Sequence, residues 1–105
     1  MAYTTIEIEA YMVATFPQAG NPGKIDLFDT NKANFATVFV RPDGEQLPKA
    51  YLDPGGLYRL YIHRTHYSDW IDLLRNEKPV YMHYWSAAGD NTHIGTAREP
   101  VGEAE

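Results

Sequence analysis

From Thr4 to Phe16 the chain alternates side for side. Ile6, Ile8, Ala10, Met12, Ala14 and Phe16 fall on one face of an extended backbone, and Thr5, Glu7, Glu9, Tyr11, Val13 and Thr15 on the other. A period of two predicts a strand. Thirteen residues are more than a strand usually holds, so a bend or bulge is expected inside it. Gly20-Asn21-Pro22-Gly23 then breaks the chain. Lys24 to Asp29 predicts a short strand with Ile25 and Leu27 inward, closed by a turn at Asp29-Thr30-Asn31-Lys32 whose Asp and Asn side chains bond the local backbone. Phe35 to Arg41 predicts a strand apolar on both faces, which calls for burial on two sides or in an oligomer.

The next signals are punctuation. Arg41-Pro42-Asp43-Gly44-Glu45 has turn chemistry, Gln46 to Leu52 predicts a weak edge strand because Pro48 cannot join a central ladder, and Asp53-Pro54-Gly55-Gly56 turns again. Leu57 to Arg64 predicts a firm strand. After it the period changes to that of a helix, with Tyr67, Trp70, Ile71 and Leu74 on one stripe. Thr65 or Ser68 can cap its start, Asp69 and Asp72 suit its positive end, Arg75 suits the other, and Pro79 stops it. Val80 to Trp85 and Thr92 to Ala97 predict the last two strands, joined by a loop over Ser86 to Asn91. The expectation is an α+β chain, mostly β. It is a curved antiparallel sheet or a small, partly open barrel of six to seven strands, with one short helix near residues 66–77. Residues 1–98 form a single β-rich domain, and residues 99–105, with Glu99, Glu103 and Glu105, an acidic tail.

Composition narrows the function. At 105 residues there is room for one core. The absence of cysteine excludes a disulfide scaffold, a thiolate nucleophile and a cysteine zinc site. Nine Lys and Arg against fourteen Asp and Glu give a net charge of -5, which opposes nucleic acid or an anionic membrane as partner. Two glutamates in the first ten residues spoil a signal-peptide core, and no apolar run is long enough for a membrane span, so a cytoplasmic protein is expected. The unusual term is aromatic: Tyr, Phe and Trp supply 14 of 105 residues, eight of them Tyr, more than a small interior can hold.

Those rings gather on the two strands that flank the helix. Tyr58, Leu60 and Ile62 share one face of the first strand, with Arg59, Tyr61 and His63 on the other; Val80, Met82 and Tyr84 oppose Tyr81, His83 and Trp85 on the second. If the strands lie in one sheet with those faces aligned, Arg59, Tyr61, His63, Tyr81, His83 and Trp85 form an aromatic surface with polar tips. Such a surface could stack a flat ligand, pair Arg59 with an anion, or serve as the centre of a protein interface; it could also only cover a helix or loop. His63-Arg64-Thr65-His66 has an H-x-x-H spacing, but it spans a strand end and a helix start and defines no ligand geometry. No serine-nucleophile, phosphate-loop or dinucleotide motif occurs. No catalytic residue is assigned, and neither metal nor cofactor is expected.

The stretch from Trp70 to Tyr81 (WIDLLRNEKPVY), with the ending Glu99-Pro100-Val101-Gly102-Glu103, resembles a group of small bacterial single-domain proteins. Small domains of this sort also resemble products of mobile gene cassettes. The resemblance covers about the last third of the chain and implies a bacterial, soluble, single-domain protein; it brings no activity or catalytic residue with it. The expected function is a non-catalytic binding or interaction module that self-associates, as a dimer, through its excess of aromatic side chains. The alternative is a small-molecule-binding protein or enzyme built on the Arg, Tyr, His and Trp face.

Overall fold

The computed structural model describes residues 3–16, 23–85 and 92–96; the breaks expected at 20–22 and 86–91 and the acidic tail at 99–105 lie outside them. The described chain runs β1 (Tyr3–Ile8), β2 (Ala10–Thr15), β3 (Gly23–Phe28), β4 (Asn34–Arg41), β5 (Tyr51–Leu52) and β6 (Tyr58–His63). A single 3-10 turn at Arg64–His66, the helix α1 (Tyr67–Asn76), β7 (Val80–Trp85) and β8 (His93–Thr96) follow. This is a mostly-β α+β fold. Its strands make two sheets, one of three in the order β1-β7-β8 and one of five in the order β2-β3-β4-β6-β5, and the sheets do not close into a barrel.

The long alternating segment is shared between the sheets. It bends at Glu9, so β1 pairs with β7 while β2 pairs with β3. The Glu9 amide still donates to the Phe28 carbonyl at 2.8 Å, which holds the bend against the larger sheet. The alternation changes phase at the bend. Ile6 and Ile8 pack inward from β1, but on β2 it is Tyr11 that packs against the core, opposite Leu27, and Met12 is left outside. The single face expected to run from Ile6 to Phe16 is therefore split at the expected bend into two sets of opposite phase, because one irregular residue exchanges the faces of everything that follows it.

The second departure is β6. It lies between β4 and β5, antiparallel to β5 but parallel to β4, with Thr37 opposite Arg59 and Phe39 opposite Tyr61. The five-stranded sheet is thus mixed rather than purely antiparallel. A parallel neighbour needs a long return path, and residues 42–57 provide it, turning at Gly44 and again at Asp53–Gly56. Gly44 and Gly56 have φ of 83° and 91°, where a side chain would be strained.

One core lies between the sheets. Ile25, Leu27, Val38, Val40, Leu60 and Ile62 enter it from the five-stranded sheet; Ile8, Val80, Met82 and Tyr84 enter from the other. Each such side chain contributes about 1.5–3 kcal/mol by leaving water. Phe35 is the residue left over where the β3–β4 register shifts, and it is buried with Ala36 in the same cluster. Together with Phe39, half-buried on the other side, it accounts for a strand apolar on both faces.

The helix is a partial lid. Tyr67, Trp70, Ile71, Leu73 and Leu74 pack on the core, yet no helical residue is fully buried. Neither Thr65 nor Ser68 caps it: the N-cap is His66, with no side-chain cap bond. The intervening 3-10 turn moves the helix start past Thr65, whose backbone amide donates to Asp43 Oδ1 at 2.8 Å instead. Asp69 in the first turn and Arg75 in the last complement the helix dipole.

Candidate functional site

The sheet order separates the six proposed surface residues. Arg59, Tyr61 and His63 belong to β6 in the five-stranded sheet, and Tyr81, His83 and Trp85 to β7 in the three-stranded one. On both strands the intervening residues, Leu60 and Ile62 on one and Val80, Met82 and Tyr84 on the other, enter the same core. Tyr58 and Tyr84 meet there with ring centroids 4.7 Å apart. Because side chains alternate along a strand, the two ring-bearing sets leave the core in opposite directions. The single six-residue surface is corrected to two separate faces.

On the β6 face the polar groups already hold one another. Arg59 Nε donates to Asp53 Oδ2 at 2.8 Å, and its guanidinium carbon stands 5.8 Å from the centre of the Phe39 ring. Asp53 also accepts the Leu57 amide at 2.9 Å on its other oxygen. That backbone hydrogen bond, aided by the Arg59 guanidinium, holds the Asp53 carboxyl below the usual range. Phe39 and Tyr61 stack at 5.5 Å. Burial pushes the Tyr61 phenol up, and its hydrogen bond with Tyr51 pushes the same way. His63 Nε2 lies 2.6 Å from the Glu45 carbonyl, and Arg41 Nε donates to Glu45 Oε1 at 2.6 Å, so both fasten the long return segment. Beside them Thr37, fully buried, donates to Asp26 Oδ1 at 2.9 Å. The contacts of Glu45 and Asp53 secure the crossover between β4 and β6, while the Thr37–Asp26 bond ties β4 to β3. The sequence marks Phe39 only as part of a strand apolar on both faces, and Arg41, Glu45 and Asp53 only as turn residues, because a parallel β4–β6 pairing leaves no local mark.

The β7 face is a small cluster across three strands. Thr5 stands opposite His83, and His83 opposite His93. The Thr5 hydroxyl is 3.1 Å from His83 Nδ1, the two imidazole centroids are 4.8 Å apart, and Tyr81 lies 6.3 Å from His83. Burial, and then the charge of His93, lower the His83 pKa. The Trp85 amide donates to the Thr92 hydroxyl at 3.2 Å. His63 and His66 lie on the other sheet and its exit, so the four histidines do not converge. Among the described residues no three His, Asp or Glu gather as metal ligands.

Concavities open elsewhere. One of about 190 Å³ lies where the helix end meets the bend, between Glu9, Tyr11, Leu74 and Lys78; others lie along Tyr67–Arg75 and beside Met12 and Phe28. None of these three is lined by the six residues.

The third surface is the edge of the larger sheet, which sequence reasoning missed because the change of phase at Glu9 was invisible. Met12 is 60% exposed, Val13 42% and Phe16 37%. Among the described strands β2 has a neighbour on one side only, β3. From Ala10 to Phe16 there is no charge, glycine or proline. The opposite edge, β5, also exposes Tyr51 and Leu52, but it is only two residues long, and a very short edge strand is itself one of the ways sheets blunt an edge.

The chain matches no protein-family model, no curated protein and no solved structure. No helix among the described residues is long and apolar enough to cross a membrane.

Proposed function

We propose that this chain is a non-catalytic interaction module that self-associates as a dimer. The observation that carries it is the edge of β2, a strand without charges, where Met12 and Val13, and Phe16 just past its end, remain exposed. An edge strand presents a row of backbone donors and acceptors, and natural sheets blunt such edges when no partner is meant to add. The occupied state of the β6 face favours the same conclusion: Arg59 already has its carboxylate, and His63 its carbonyl. Light scattering across micromolar concentrations tests it. The mass should rise with concentration from 11.9 kDa toward twice that value, and a mass fixed at 11.9 kDa removes the proposal.

A second function is favoured by the grouping of Tyr81, His83 and His93 beside Trp85: stacking of a small flat ligand on the β7 face. With Trp70→Phe silencing the helix, Trp85 fluorescence should respond to such a ligand. No response and no thermal shift across a metabolite library would dismiss it.

A further inference from the structure

We infer that the partner is a second copy of this chain, and that the copies join β2 to β2 as antiparallel strands about a two-fold axis at Val13. This rests on the self-association proposed above and says where it occurs.

Charge decides where two copies of the chain can meet. The chain carries a net charge of -5, so most of its surface repels a copy of itself. The run Ala10–Phe16 carries no charge and meets its own copy without like-charge contact. The other long edge, β1, carries Glu7 near its C-terminal end, and the bend that follows holds Glu9 beside Lys78. β5 offers only two residues. A dimer built on β2 is isologous, each copy giving the same strand, and it closes without leaving a second open site of the same kind.

Strand geometry then fixes the register. A two-fold axis perpendicular to the sheet makes the joined strands antiparallel and keeps each face on its own side. Directly opposite residues must share a face, so the axis passes through a residue and not between two. Val13 is the middle of the stretch from Ala10 to Phe16, which Glu9 bounds on one side and Pro17 on the other. Met12 then lies opposite the partner subunit's Ala14, and Tyr11 opposite the partner subunit's Thr15. Glu9 stays outside the paired region. An axis at Met12 would instead draw Glu9 into the ladder. Pairing of one strand belongs to the smallest class of interfaces, so the association is weak and its extent depends on protein concentration.

Single-cysteine variants test the register directly, since the chain has no cysteine of its own. On the axis, Val13→Cys faces itself at a Cα separation of about 4.5–5.5 Å, inside the range a disulfide needs. Ala10→Cys lies about 20 Å from its copy along the strand. Both sites are substantially exposed, and circular dichroism with a thermal melt verifies the folds. Mild oxidation should give a covalent dimer with Val13→Cys and little with Ala10→Cys, and Met12→Lys should return the otherwise unaltered chain to a monomer. If light scattering shows a dimer but Val13→Cys cross-links no better than Ala10→Cys, or Met12→Lys stays dimeric, the β2 interface is wrong and self-association stands. If the unaltered chain is monomeric throughout, both fall.

Discussion

Replacing Tyr58 and Tyr84 by leucine, singly and together, measures whether the two sheets share one core. Tyr58 comes from the larger sheet and Tyr84 from the smaller, and their rings meet at 4.7 Å with planes tilted by 57°. Leucine keeps an apolar side chain at each site but removes the ring contact. Tyr84 is buried and Tyr58 half-buried, so each single change should cost roughly 1–3 kcal/mol in urea unfolding. A tilted aromatic pair carries about 0.5–1.5 kcal/mol beyond the area its members bury. The double variant should therefore be less destabilised than the sum of the singles by about that amount. Sites out of contact add to within about 0.3–0.5 kcal/mol. A coupling energy near 1 kcal/mol is readable in a chain of this size, where it moves the melting temperature by about 4–8 °C. Strict additivity would mean that the apolar faces of β6 and β7 do not meet at this point. The argument that Arg59, Tyr61 and His63 point away from Tyr81, His83 and Trp85 would then fail.

Three further outcomes follow from the same geometry. Asp53→Ala removes the acceptor of both the Leu57 amide and the Arg59 guanidinium, and should lower the midpoint of chemical denaturation; Arg59→Ala in the Asp53→Ala background should then lower it by less than it does alone. The depressed His83 pKa means that unfolding takes up a proton. Its contribution is fully present above the ordinary histidine value of 6.5 and is lost as the pH falls through the lower folded value. With Thr5, Glu7, Tyr81 and His93 around the ring, His93→Gln should flatten that acid decline in urea unfolding measured against pH, and an unchanged slope would refute the assignment. Trp70→Ala should cost about 2 kcal/mol, below the roughly 3–5 kcal/mol of a fully buried tryptophan, because the helix only partly covers the core.

Local signals told the truth about local structure. The alternation over Tyr58–His63 and Val80–Trp85, the stripe of Tyr67, Trp70, Ile71 and Leu74, and the turn chemistry at Asp29 and Gly44 all appear where the side-chain periods placed them. Asp29 Oδ1 accepts the amides of Asn31 and Ala33, as a short acidic side chain in a turn does. What the sequence hid is non-local. Which strand pairs with which is decided by the closure of long segments, so nothing in Phe35–Arg41 or Leu57–Arg64 announced a parallel pair, nor that β6 and β7 would enter different sheets. The alignment of two ring-bearing faces was an assumption about pairing, and pairing overturned it. A bend was foreseen in the first strand, but its effect was not: one residue, Glu9, exchanges the faces of β2 and leaves Met12 outside. The excess of aromatic side chains pointed to association, while the edge that supports it is carried by Met12, Val13 and Phe16.

Amide hydrogen exchange along β2, read residue by residue at low and at high protein concentration, tests the proposed association where it should occur. At high concentration the amides of Ala10 to Phe16 that point away from β3 should be protected, and on dilution below the dissociation constant they should exchange freely while those of β3 and β4 stay protected. Protection unchanged by dilution, in a chain that scatters as a monomer, would show that the β2 edge is covered from within and would contradict the account.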